Sequence, residues 1–499
     1  MLKPEELKVG RRNFMKAAAV LPAAGAYVAT AKIAEPVKCA WIGTGGEGRV
    51  LLENCPYNGF IEVVAVADIR PDFRELGAHI VRQKCCPDVR AYSNYKDMLS
   101  DGGFEAVVIA TPLLTHGPIT MDCLSAGYHV LCEKTMAYSI DDCEGMINAA
   151  KKNNLVLAIG HQRHANPLYI TTKEMVDTGM LGEVHHIRSL WHRNHSWRRS
   201  PAGEWNNEVL KEKFGEYPIE GVAKILGITG ENAKNPNIVM REGGKEDAPF
   251  YTEQKQFELY FQYLAEKEPE FEAKIHDTSE YGYESPDMLG NWRLYKKMSH
   301  GLMSELGSHQ IDVCNWMWGA EPDYVSCAGG IWAYDDGREV ADHVFSIFQY
   351  PNEKVMTFTS ITTNKFDHYY DQVMGTKGTA FLTGESEAYY YSESGGKLGE
   401  VKMEESGSGK PAGSASGSRA KDMAGAGAAE GDGASLSNPF DPYRYELEKF
   451  ASAIRKGDPS LVGCDGEAGY KAAIAVLRSV QAQEENKVKS CRIADARTA

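Results

Sequence analysis

In the stretch MSELGSHQIDVCNWMWG, Glu305, His309 and Asp312 fall at i, i+4 and i+7, a spacing that a helix presents on a single face. Histidine titrates near neutral pH, so an imidazole held there can accept a proton. The same trio also fits a helix whose polar groups are merely satisfied. As a metal site it lacks further ligands at recognisable spacing, so no metal is expected. A second polar group, Lys134, directly follows the apolar run in YHVLCEKTMA. Beside a nicotinamide its amine can donate to a substrate oxygen, although a lysine after a strand is often an ordinary surface residue.

The stretch AWIGTGGEGRV supplies a place for such a cofactor. Gly43, Gly45 and Gly48 make a GxGxxG pattern between an apolar run and a helical one. The first glycine permits the tight turn, the second lets the backbone approach a pyrophosphate, and the third lets helix and strand pack closely. The free N–H groups of the helix, with Gly46 at its start, then face the phosphates. Asp68 ends the next apolar run, where a carboxylate holds the ribose hydroxyls. A negative charge there disfavours a 2′-phosphate, so NAD is preferred, while Arg70 keeps NADP open. Thr111, Pro112 and His116 in ATPLLTHG, with Glu133 and Lys134, end later strands and are expected on the same crevice.

These residues need elements to position them. From residue 36 to 160, short continuous apolar runs alternate with helical segments, the pattern of a parallel sheet covered on both faces. Ser139 is placed to cap the helix that starts at SIDDCEGM. From 161 to 391 the runs alternate with period two, as in Val355, Thr357, Thr359 and Ile361, which predicts a mostly antiparallel open sheet. The fold class is therefore α/β plus α+β, a Rossmann dinucleotide domain followed by a substrate and oligomerisation domain. Residues 194–297 read as an insertion in the second domain, with Phe257, Phe261 and Leu264 on one helical face. Residues 392–438, rich in Gly, Ser and Ala, read as a disordered loop. Two amphipathic helices at 440–485 are expected to pack back on the first domain.

The glycine fingerprint, ATPLLTH, EKT, GTKGT from Gly375 and the final helices resemble the glucose-fructose oxidoreductase, inositol dehydrogenase and rhizopine-catabolism family, Gfo/Idh/MocA. The resemblance implies oxidation or reduction of one carbinol of a sugar or cyclitol. It places His309 at the substrate hydroxyl, with Glu305 where the family usually has Asp, and polar substrate contacts at His161, Arg163 and His164. Thr135 stands where the family usually has Pro, which is expected to loosen the turn after Lys134. Some members hydrolyse glycosides by transient oxidation, using NAD catalytically. That is the alternative function here, and a non-catalytic, nucleotide-loaded binding protein is a third.

The whole-chain properties bound the partners. A net charge of −15 over 499 residues argues against nucleic acid and anionic lipid, and leaves small neutral or cationic ligands open. Eleven cysteines without CxxC spacing indicate neither a zinc site nor a complete disulfide set, with Cys85 and Cys86 the one adjacent pair. Arg11 and Arg12 precede a small-residue apolar run ending at Ala31, the layout of an export signal of the twin-arginine class. Export through that machinery, cleavage without membrane insertion and a periplasmic location are expected. The protein would then fold around its dinucleotide before export. An open sheet face makes a homodimer or homotetramer the expected assembly.

Overall fold

The computed structural model describes residues 33–275, 281–393, 434–437 and 441–496. The leader, residues 1–31, lies outside the described residues, as does most of the low-complexity stretch.

Six strands form the first sheet: β1 (Val37–Ile42), β2 (Ile61–Ala67), β3 (Arg90–Tyr92), β4 (Ala106–Ile109), β5 (His129–Glu133) and β6 (Leu157–Gly160). All pairs are parallel and the order is β3-β2-β1-β4-β5-β6. Val107, Val108, Val130 and Leu131 are fully buried because helices cover both faces, which explains runs without polar alternation. The strand order reverses between β1 and β4, and the crevice opens beyond their carboxyl ends. Ser139 caps the helix Ile140–Asn153, its hydroxyl accepting from Asp142 N–H at 3.1 Å.

Nine strands form the second sheet: β7 (Val184–His192), β8 (Tyr324–Gly330), β9 (His343–Tyr350), β10 (Lys354–Ile361), β11 (Tyr369–Gly375), β12 (Gly378–Thr383), β13 (Glu387–Ser392), β14 (Ala434–Ser437) and β15 (Lys489–Ser490). Their order is β14-β13-β12-β11-β7-β10-β9-β8-β15. The sheet is mixed, because β10 runs parallel to β7 while the other pairs are antiparallel. Met356, Phe358 and Ser360 point inward, whereas Val355, Thr357, Thr359 and Ile361 lie on the open face. The helix Ser308–Trp318 packs against the inward face through Ile311, Cys314 and Met317. β14 falls within the stretch expected to be disordered, and pairs with β13.

The insertion packs differently from its place in the chain. Phe257, Tyr260 and Phe261 share one core with the first domain, and Tyr260 donates to Asp72 at 3.2 Å. It therefore builds a wall over the nucleotide crevice. The helix Pro442–Lys456 packs back on β1 and β2 as expected through Leu447 and Phe450. The helix Gly466–Glu485 bridges the two domains, with Tyr470 in the first core and Val476 in the second.

All eleven cysteines are free; Cys85 and Cys86 are half-buried and the other nine are buried. No helix among the described residues is long and apolar enough to cross a membrane.

Candidate active site

One cavity lies beyond the carboxyl ends of the first sheet. It is lined by Gly43, Gly45, Gly46 and Asp68 from the first βα units, and by Thr111, Pro112, His116, Glu133 and Lys134 from the fourth and fifth. Glu305 closes the far end, and Trp292, Arg293 and Arg199 roof it.

The turn after β1 is built for close approach. Gly43 has φ +88, and a side chain there would meet the Ala110 carbonyl oxygen at 2.5 Å. A Cβ on Gly48 would lie 2.0 Å from the Gly43 carbonyl, so Gly48 serves the packing of helix on strand. At Gly45 the nearest protein atom to a Cβ is the Phe73 ring at 3.5 Å, so the space a side chain would take opens to the cavity. The helix Gly46–Glu53 starts there with no side-chain cap, leaving N–H donors for a phosphate.

Asp68 accepts from Thr44 N–H at 2.8 Å and Arg70 N–H at 2.9 Å. Burial pushes its carboxyl above the ordinary value, and these two N–H groups pull against that shift. This cradle and fixed carboxylate fit a dinucleotide. Arg70, the residue that kept NADP open, also lines the cavity, but its guanidinium is held by Asp72 at 2.5 Å and lies 3.4 Å over the Phe73 ring.

His116 faces the cavity but its two ring nitrogens lie 2.8 Å from the Thr135 carbonyl and 2.9 Å from that of Thr111. It ties two loops together. The Thr135 hydroxyl donates to the Ser304 carbonyl at 2.9 Å, so the turn after Lys134 is clamped, contrary to the loosening expected without proline. Lys134 Nζ reaches the Glu305 carbonyl at 3.4 Å. Beside it, burial and then Glu47 push Glu133 up to about 8.

The trio at the reaction end is not arranged on one face. Met303–Gly307 form a π turn before the helix Ser308–Trp318, and i→i+5 winding leaves residues four apart short of a full turn. Glu305 instead takes Arg293 at 2.8 Å and the Ser299 hydroxyl at 3.1 Å. Burial opposes its ionisation, but Arg293 and Lys134 hold its carboxyl below the ordinary value. Asp312 accepts from His164 at 2.8 Å and lies 3.6 Å from His161 Nδ1, so it acts on two histidines behind the cavity.

His309 does not itself line this cavity; its ring lies 5.6 Å from Trp191 and 6.1 Å from His161, and the charge of Lys134 acts on it. Its Nδ1 is buried without a hydrogen bond. Burial, then the charges of Lys134 and Arg163, drive its pKa well below the ordinary histidine value, so the imidazole is neutral and open to a proton.

Arg163, expected at the substrate, is a buttress instead. It is 1% exposed and bonds Asp371 and Glu385, each at 2.9 Å. His164 is likewise engaged, by Asp312 and by the Trp316 ring at 4.3 Å. His161, Arg163 and His164 thus form a second layer that does not line the cavity.

Four cations were not singled out from the sequence: Arg49, Arg193, Arg199 and Arg293. Arg293, followed by desolvation, pulls Arg199 down to about 10. Arg49, Arg199 and Arg293 line the cavity together with the carboxylates Glu47, Asp68, Glu133, Glu204 and Glu305, whereas Arg193 does not line it. No local motif marks these arginines, since 193 to 293 come together only through folding.

The fold and crevice define a two-domain dinucleotide-binding protein. Residues 37–161 match the model described as "Oxidoreductase family, NAD-binding Rossmann fold", and residues 275–381 match that of the "GFO/IDH/MocA C-terminal domain". Both domains are thus similar to the GFO/IDH/MocA oxidoreductases, the first of them to an NAD-binding model.

It is 31% identical to inositol 2-dehydrogenase of Rubrobacter xylanophilus over 173 residues, 34% of this chain and 48% of that protein. It is 28% identical to glycosyl hydrolase family 109 protein 2 of Phocaeicola vulgatus over 200 residues, 38% of this chain and 48% of that one. The chain spans about half the length of the curated relatives it matches. Its fold resembles levoglucosan dehydrogenase in complex with NADH and levoglucosan: TM-score 0.58, 14% identity, 92% of this chain and 100% of that one.

Proposed function

We propose that the protein is an NAD-dependent oxidoreductase acting on a carbinol of a sugar, cyclitol or glycoside. The observation that supports this reading is that Lys134 lines the same cavity as the glycine cradle while its charge acts on His309. The cradle holds the pyrophosphate, Asp68 the ribose, and the bound nicotinamide supplies the hydride acceptor. NAD is preferred over NADP because Asp68 faces the cavity while Arg70 is locked to Asp72.

Lys134 donates to the reacting oxygen and stabilises negative charge as it develops there. His309, neutral and desolvated, accepts the hydroxyl proton. Asp312 and His161 position His309 from behind, while Glu305 and Thr135 fix the lysine. Preset orientation of these groups lowers the barrier by removing the search for a reactive arrangement.

The leader composition supports export of the folded, cofactor-loaded protein by the twin-arginine route to the periplasm, where a tightly held cofactor needs a closed cycle. The exposed Tyr324, Phe345 and Ile347 on the open sheet face support a homodimer or homotetramer. The similarity to a family 109 glycosyl hydrolase keeps a second reading, glycoside hydrolysis through transient oxidation.

One assay tests these readings: purified protein incubated with sugars, cyclitols and aryl glycosides, with absorbance at 340 nm and free aglycone followed together. Reduced nicotinamide without aglycone release is the expected result. Aglycone release without net reduction establishes the hydrolytic reading, and neither signal contradicts both.

A further inference from the structure

We propose that the sugar bound at this site carries an anionic group, a carboxylate, sulfate or phosphate ester, and that Arg193 receives it. This rests on the carbinol-oxidation reading above and names its substrate class.

Arg193 follows β7, and its guanidinium carbon lies 5.0 Å from the Trp191 ring. The same indole lies 5.6 Å from the His309 ring, so the arginine and the proton acceptor flank one aromatic side chain. A sugar whose hydroxyl meets His309 thus has Arg193 within reach of a substituent further round its ring.

The arginine is set apart by what it lacks. Arg49 pairs with Glu204, Arg163 with Asp371 and Glu385, Arg198 with Asp287, and Arg293 with Glu305. Among the described residues, no carboxylate lies within ion-pair distance of Arg193 or Arg199. Arg199 Nη1 stands 3.6 Å from the Cβ position of Gly46, over the cradle, where a bound pyrophosphate would meet it. Arg193 is left without an anion from either protein or cofactor.

Its surroundings make that costly. Burial, and then the like charge of Arg293, lower the pKa of Arg193 even though Tyr369 and Glu305 act the other way. A partly buried cation with a cationic neighbour is stabilised by a matching oxyanion, which a guanidinium binds through paired N–H donors. The anion would also aid the chemistry. Arg193 is one of the charges that suppress protonation of His309, so neutralising it brings the imidazole back toward a useful basicity.

The test uses the NAD-loaded full-length protein with a neutral hexoside and its uronate, 6-sulfate and 6-phosphate counterparts. Binding is read by calorimetry and turnover at 340 nm. At least one anionic sugar should bind roughly 10- to 100-fold tighter than the neutral one, the range of a charge-assisted hydrogen bond. Which of the three does so identifies the group. Arg193→Gln should abolish that preference while NAD affinity and neutral-sugar binding stay within twofold, and Arg193→Lys should restore part of it. Equal binding of neutral and anionic sugars, or loss of NAD affinity in Arg193→Gln, overturns the inference. Arg193-dependent binding without nicotinamide reduction upholds it while contradicting the carbinol-oxidation reading. Reduction by neutral sugars with no anionic preference does the reverse.

Discussion

The two ends of the cleft are made by different means. The cofactor end is backbone: a glycine turn, the start of one helix, and a carboxylate held by two N–H groups, all between residues 43 and 70. The reaction end is side chains from four distant segments, near residues 134, 161–164, 191–199 and 293–312. A backbone cradle tolerates change in most side chains but none in its close approaches. A side-chain site loses chemistry one group at a time and keeps its cofactor.

That contrast yields predictions, from the largest effect to the smallest. Lys134→Met and His309→Asn should each lower kcat by about 10²- to 10⁴-fold, the range for a positioned acid, base or oxyanion donor. NAD affinity, measured by calorimetry, should fall at most a few-fold in His309→Asn. Comparable loss of NAD and of rate in that variant would erase the distinction between the two ends.

Gly45→Val should do the opposite. The fold has room, with Phe73 the nearest neighbour, but the side chain occupies the phosphate space. Loss of one charge-assisted bond, about 1.5–3 kcal/mol, weakens NAD by roughly 10- to 100-fold with little change in melting temperature. Unchanged NAD affinity would mean that the phosphates lie elsewhere.

Two buried groups of the reaction end, His161 and Glu133, differ in sign with pH. Burial pulls His161 down to about 4, so between about pH 4 and 6.5 the folded protein binds fewer protons than the unfolded chain. Its contribution to stability rises with pH across that window. Glu133 is pushed up to about 8, so the folded protein holds an extra proton between its ordinary 4.5 and 8, and this contribution falls as pH rises. Melting curves should show His161→Gln removing a rise between about pH 4 and 6.5 and Glu133→Gln removing a fall between 4.5 and about 8. The same slope change in both variants would contradict the assignment.

The smallest effect concerns cofactor choice. Asp72→Asn removes the anion from the buried Arg70 cation, and should raise NADP affinity relative to NAD a few-fold while lowering the melting temperature. No change in the ratio would show that Arg70 cannot reach the 2′ position.

The same division explains what the sequence revealed. Gly43, Gly45, Gly48 and Asp68 are legible because what the fold asks of them is local: turn, close approach, strand end. The parallel sheet is equally legible, since both faces of each strand are buried. The reaction end is legible only in its residue types. Helical spacing put Glu305, His309 and Asp312 on one face, but the π turn at Met303–Gly307 separates them. Arg163 looked like a substrate contact until Asp371 and Glu385, some 200 residues on, supplied its partners. Chain order does not show that the insertion joins the core of the first domain rather than the second.

The central claim is that one cleft holds the dinucleotide at Gly45 and the reacting carbon between Lys134 and His309. A crystal structure of the protein with NAD tests it most directly. The account predicts the pyrophosphate on the Gly45–Gly46 backbone, the ribose on Asp68, and the nicotinamide ring packed beside Lys134 on the side facing His309. A dinucleotide bound in another groove, or one whose nicotinamide end points away from Lys134, would contradict it.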